Sequence, residues 1–329
     1  MTNKIRQVNL PEDYETISTL LSLNESLFGR EKISVEALIK EDENIPVKDR
    51  TSFNDQGMLT GFCRERLVAV SNEDKVIGFA SGWRTPFAEP GGLASKLIVH
   101  PDFRKRGVGS QLLIELEAWG KEKGASFLLG EVPDHELESN SFSSRRGYQT
   151  ERHLYQSTLD ITTFNADAFD SVLEEVKLSG IHFEDARSVN DVQLHTEIFN
   201  LFKKTLWDNP AMTEDDIPEE EEWKEIVSDF PEGMILAKKD GKYIGMTILI
   251  PREGNKEWFN DYTGVDRDYR RMHVALSLKL TAIQLAQSFK IEKMRTDNDS
   301  LNVPMLAINK KLGYQVSPGG HYRVRKKIK

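Results

Sequence analysis

Along the chain the apolar positions recur at two spacings, one helical and one strand-like. Ile5 to Asn9 alternates as a strand, and Pro11 to Leu27 runs with a helical rhythm. Leu67 to Val70 and Val76 to Trp83 read as the arms of a hairpin around a turn at Asp74. Leu93 to Val99 predicts a strand that ends in the turn His100-Pro101-Asp102. Val108, Leu112, Leu116 and Trp119 then share one helix face, and Gly124 stops that helix. Phe127 to Leu129 predicts a strand, Leu137 to Arg146 a short helix and Tyr148 to Leu159 a last strand. The second half repeats the order. Met234 to Lys238, Tyr243 to Ile250 and Trp258 to Val265 read as strands, and Val274, Leu278, Ala282, Leu285 and Phe289 mark a long helix. The expected class is α/β, a mixed sheet with helices, built twice.

Two short blocks support the duplication. Phe103-Arg104 before one helical run corresponds to Tyr269-Arg270 before another, and Gly147-Tyr148-Gln149 corresponds to Gly313-Tyr314-Gln315. Both pairs stand at the same offset, which chance does not readily supply. Thr163 to Ser179 reads as an amphipathic helix stopped by Gly180, with Ile181-His182-Phe183 opening the next strand. The expected domains are therefore 1–160, a connecting helix at 161–180, and 181–329.

Composition then removes whole classes. At 329 residues and 38% hydrophobic, the chain is long enough for two buried cores. No uncharged apolar run approaches the ~18 residues of a membrane span, and Met1 to Arg6 lacks an apolar signal core. Neither membrane nor secretion is expected. A net charge of −9 leaves no basic surplus for a nucleic acid backbone. Cys63 is the single cysteine, which excludes an intrachain disulfide and suits the cytoplasm. The seven histidines form no His-x-x-x-His pair, so a metal site is unsupported, and no Gly-x-Ser-x-Gly elbow is present.

The segment with most chemistry is Leu97-Ile98-Val99-His100-Pro101-Asp102-Phe103-Arg104-Lys105-Arg106-Gly107-Val108-Gly109-Ser110. An apolar strand leads through a tight loop into a helix whose first turn carries two glycines. Glycine has no Cβ, so an anion can approach the backbone and several N–H groups can converge on it. The helix dipole favours phosphate at that end, and Arg104, Lys105 and Arg106 add charge. The Ser110 hydroxyl is placed to reach a phosphate oxygen.

Arg104-x-x-Gly107-x-Gly109 after an apolar strand resembles the coenzyme A signature of the GNAT acetyltransferases. Asn140 to Tyr148 resembles that family's downstream helix and closing Gly-aromatic pair, and Asn302 to Tyr314 matches it again in the second half. The resemblance implies a tandem protein of this family using acetyl-CoA, with Leu97, Ile98, Val99, the 104–110 loop and Asn140 as cofactor contacts. It implies attack by a primary amine of a small molecule or peptide on the thioester carbonyl, with no metal. The backbone N–H groups of Ile98 and Val99 would meet the pantetheine and the carbonyl oxygen. Glu131, just past its strand, is the first candidate for general base, with Asp134 and His135 in reserve and a solvated loop carboxylate as the plain alternative.

Two positions depart from the pattern. His273 stands where the second half should carry the first motif glycine, so cofactor binding is expected in the first half. Ser143 and Asn309 stand where many members carry a tyrosine that protonates the departing thiolate. That leaves two rival expectations: a non-catalytic acyl-CoA-binding protein, and an enzyme whose C-terminal domain is the active one. An acidic run from Glu214 to Glu222 would suit a cationic acceptor, or serve as a charged helix start. The basic tail Arg323 to Lys329 alternates as a solvated final strand.

Overall fold

A computed structural model describes residues 4–45, 48–189, 192–210, 217–252, 254 and 256–328. Its first elements are β1 (Lys4–Gln7), α1 (Tyr14–Leu27), α2 (Val35–Asn44), β2 (Arg50–Phe53), β3 (Leu59–Val70), β4 (Val76–Arg84) and β5 (Gly92–Val99). After these come α3 (Val108–Glu122), β6 (Phe127–Pro133), α4 (Leu137–Arg145), β7 (Gln149–Asp160), α5 (Asp170–Leu178), β8 (Ile181–Asp185), α6 (Val192–Leu206) and α7 (Glu220–Asp229). The chain closes with β9 (Met234–Lys239), β10 (Lys242–Arg252), β11 (Glu257–Val265), α8 (Val274–Ser288), β12 (Lys293–Asp299), α9 (Val303–Leu312), β13 (Gln315–Val316) and β14 (His321–Lys327). Two compact units result, one of Met1–His153 with Gly319–Lys329 and one of Leu154–Pro318. Among the described residues no helix is long and apolar enough to cross a membrane.

In the first unit the strand order is β1-β3-β4-β5-β6-β14, antiparallel throughout except for the parallel pair β5–β6. The alternation along β3 explains why helices cover both faces. Val68 and Val70 join Ile17, Leu20 and Leu21 of α1, while Leu67 and Ala69 join Val108, Leu112 and Leu116 of α3. Helix α3 lies unusually close to β4. A Cβ on Gly82 would stand 2.8 Å from both Leu116 and Trp119, so glycine there fixes how near the helix comes.

The second unit has the order β7-β12-β11-β10-β9-β8, again with one parallel pair, β11–β12. Along β9, Ile235 and Ala237 face the core built with α8, while Met234 and Leu236 face the core built with α6 and Trp223 of α7.

These units depart from the boundaries drawn at 1–160, 161–180 and 181–329. The 161–180 segment, expected as a connecting helix, lies within the second unit. Val176 of α5 is buried, and Phe164, Phe169, Val172 and Leu173 pack on the second unit's core, so the apolar face seen in the sequence has a sheet to cover. Residues Gly319–Lys329 belong to the first unit because β14 pairs with β6 from His321↔Pro133 to Lys327↔Phe127. The tail is a strand but not a solvated one. Val324 and Ile328 are buried, the Arg325 guanidinium lies 3.8 Å from the Phe127 ring centre, and Arg325 pairs with Glu89 and Glu151.

Candidate functional site

Strands β5 and β6 pair only over Gly92↔Phe127, Leu93↔Leu128 and Ala94↔Leu129. Beyond Ala94 the two part. Strand β5 stays on β4 as far as Gly78↔Val99, and β6 stays on β14 as far as Pro133↔His321. Parallel strands that separate leave backbone N–H and C=O groups along the gap without a ladder partner. The Ser95 hydroxyl closes the crotch of this fork by donating to the Leu129 carbonyl at 2.6 Å. Leu97, Ile98 and Val99 form the β5 arm. Ile98 turns toward the α1 side, while Leu97 and Val99 pack on the α3 side.

At the end of that arm the chain makes a turn of 3-10 helix at Pro101–Phe103 and enters α3. Lys105 takes φ 60° and Gly107 takes φ 84°, both left-handed, so the loop doubles back immediately before the helix. Among the described residues, the N–H groups of residues 105–109 have no intrachain acceptor, whereas those of Ser110 and Gln111 are bound to the Gly107 carbonyl. Consecutive unpartnered amides at a helix start form an anion cradle. A Cβ on Gly107 would meet nothing within 4 Å, so its side-chain space opens outward. Gly109 is different, lying 3.4 Å (from its would-be Cβ) from Leu97, Val99 and Phe142.

The loop's cations are held unequally. Arg104 donates to the Val99 carbonyl at 3.3 Å, Lys105 pairs with Glu138 at 2.6 Å, and Arg106 sits over the Phe103 ring. Arg146, which in the sequence only marks the end of a short helix, donates to the Ser110 hydroxyl and adds a charge to the cradle. Asn140 does something other than offer a free amide. Its Nδ2 donates to the carbonyls of Pro133 and Glu136, at 2.8 and 2.9 Å, and so fixes the turn between β6 and α4. Ser143 donates to the Asn140 carbonyl at 2.9 Å. The Tyr148 phenol is pushed up to about 12 by burial, eased by a hydrogen bond with Ser95.

Glu131 lies on the β6 arm, two residues past the last β5 pair, and is 48% exposed. Arg30, from the segment between α1 and α2, reaches it at 3.5 Å and also contacts Glu25 at 3.3 Å. Glu25 in turn holds Lys96 of the β5 arm at 2.8 Å. The two arms are thus bridged by an alternating row of charges, Lys96, Glu25, Arg30 and Glu131. His321 of β14 adds itself to this row, with Nε2 3.8 Å from Glu131. The reserve residues stand beside it. Asp134 bonds His153 at 2.9 Å, and His135 lies 3.5 Å from the same carboxylate.

The second unit has a loop of the same backbone shape. Arg271 takes φ 63° and His273 takes φ 58°, where Lys105 and Gly107 stand in the first. His273 is exposed and leaves the fold of its loop intact. Two of its cations are engaged, however, because both Arg267 and Arg270 pair with Asp208, while Arg271 is exposed. The β11–β12 pair also parts after Phe259↔Arg295, and Asn260, the next residue of β11, is tied into a buried hydrogen-bond network there. Buried Lys279 of α8 donates to Asn260 Oδ1, and Asn260 Nδ2 donates to Thr247 at 2.7 Å. Complete burial pulls the Lys279 ammonium down to about 7. Of the acidic run, Glu214 to Asp216 lie outside the described residues. Glu220 and Glu221 are exposed in the first turn of α7 and pair with Lys224.

The profile of the acetyltransferase (GNAT) family matches residues 33–148 and 197–314. Among solved structures, a GCN5-related N-acetyltransferase from Sphaerobacter thermophilus has a TM-score of 0.59 at 16% identity, over 99% of this chain and 96% of that one. A tandem GNAT protein from the clavulanic acid biosynthesis pathway has a TM-score of 0.55 at 16% identity, over 100% of this chain and 99% of that one. Among curated protein sequences none gives a match. At such identities the likeness carries the fold.

Proposed function

The chain belongs to the acetyltransferase (GNAT) family, and from that premise we propose that its first compact unit is an acetyl-CoA-dependent N-acetyltransferase for a primary amine of a small molecule or peptide. The observation that carries this reading is the parted β5–β6 pair, with the amide cradle at the end of one arm and Glu131 on the other. The residues present fit the cofactor. Five unpartnered amides with Arg104, Arg106 and Arg146 suit a pyrophosphate, and the unpaired β5 edge from Leu97 to Val99 suits an extended amide chain. When bound, acetyl-CoA supplies an activated acetyl thioester.

The chain's own contribution is position and charge. Residues 105–110 hold the anionic end, and the β5 arm orients the thioester. Glu131 attracts the acceptor's ammonium, and the cluster around it removes a proton so that the nitrogen lone pair becomes free. We assign the second unit no chemistry, since Asp208 ties up Arg267 and Arg270 of its loop and the buried Lys279 is bonded to Asn260 at its fork. We place the protein in the cytoplasm, where a lone buried thiol such as Cys63 stays reduced.

Calorimetric titration of acetyl-CoA into the wild-type chain and a Gly107→Trp variant tests the assignment. One site that vanishes in the variant supports it. A site that survives moves the chemistry to the second unit. Binding without CoA release across a broad amine panel would make the protein an acyl-CoA binder.

A further inference from the structure

His321 reaches the candidate site from the far end of the sequence. Strand β14 sets it opposite Pro133, diagonal to Glu131 on the same face of the sheet, and the Gly320 carbonyl accepts from the Asp134 N–H at 2.9 Å to fix that entry. The imidazole is 17% exposed and is braced edge-on by Phe28, with ring centres 5.7 Å apart. Its Nε2 and the Glu131 Oε1 stand 3.8 Å apart, beyond a direct hydrogen bond. One ammonium nitrogen can donate to two acceptors at that separation.

Resting on the acetyltransferase reading, the geometry points to His321 as the group that takes the proton from the acceptor amine, with Glu131 as the anchor for the ammonium. The ammonium loses one proton to His321 Nε2, which leaves a lone pair on nitrogen. That nitrogen then forms the N–C bond as the C–S bond breaks, and a second N–H proton goes to the sulfur, so CoA departs as a thiol. His321 returns its proton to water. The protonation state at rest suits the role. Burial lowers the imidazole below the ordinary histidine range, opposed by Glu131 of β6 and Asp134 of the following turn, and reinforced by Arg30 and by His153 of β7. A ring that is neutral near pH 7 can accept.

The test uses the full chain and the best amine from the panel. His321→Gln should keep acetyl-CoA affinity within about twofold, lower kcat/KM by roughly 100-fold, and remove the fall of kcat/KM on the acid side. In parallel, the full chain with isotope-labelled histidine is titrated by NMR, His321 being identified by the signal lost in that variant. Glu131→Gln should lower its midpoint further, because the carboxylate favours the imidazolium. Activity within threefold of wild type with an unchanged acid limb overturns the assignment and leaves the acetyltransferase reading standing, as does a midpoint indifferent to Glu131→Gln. A wild-type chain that binds acetyl-CoA and acetylates no amine overturns both.

Discussion

At the scale of single residues, Gly107 and Lys279 make opposite statements about their two units. Gly107 carries a left-handed φ of 84° with open space where a side chain would project, so the loop presents only backbone to a ligand. An indole at that point would fill the approach to five amides. Gly107→Trp should therefore weaken acetyl-CoA by about 100-fold or more while costing the fold only about 1–3 kcal/mol for a left-handed non-glycine residue, read by calorimetry and thermal melting. Lys279 has its place in water taken by protein. Its native pKa of about 7 lies below the ordinary lysine value, so between the two the unfolded chain binds more protons than the folded one. Stability of the second unit should rise as pH climbs from about 7 toward 10, and Lys279→Met should flatten that slope in melts followed against pH. The cradle was legible in the sequence because its glycines and cations are near neighbours. Arg146 and His321 were not, because strand and helix packing at long separation brings them in.

At the scale of elements, the periodic segments were legible and the polar ones were not. The hairpin β3–β4, the strand β5 and the helix α3 follow from alternation and helical spacing, whereas β2 is exposed throughout and shows no such signal, and α2 carries only the short i, i+3, i+4 set Val35, Leu38 and Ile39 behind its Ser34 cap. The entry to α1 shows what holds a short edge strand in place. Asp13 accepts from Arg6 of β1 at 2.6 and 2.9 Å and from the Asn9 N–H at 2.7 Å. The Arg6 hydrogen bonds outweigh burial and hold the Asp13 carboxyl below the usual carboxylate range. Its folded form thus binds fewer protons than its unfolded form. The stabilisation is complete above about pH 4 and is lost as pH falls through the depressed native value. Asp13→Asn should lower the first unit's melting temperature at pH 7, and the gap to wild type should close progressively in acid.

For the whole molecule, duplication was legible and the exchange of strands was not, because a repeat reports ancestry whereas a unit is defined by contacts. The sequence placed 181–329 in one domain, yet β14 leaves it to complete the sheet beside β6, and β7 runs from one unit into the other at His153. Removing residues 319–329 should abolish acetyl-CoA binding although the entire cradle remains. It would uncover Phe127, Leu128 and Val132 and strip Ile328 from its cluster with Leu93 and Leu128. Proteolysis should then digest the first unit and spare the second, and retained binding would count against β14 as an integral part. The same arrangement sets an order of events during synthesis. Leu154–Pro318 is continuous and can fold once it clears the ribosome, but Met1–His153 must wait for β14. At ~5–20 residues per second that wait lasts on the order of ten to thirty seconds, with the edge of β6 bare throughout. The part of the chain made first is the part finished last.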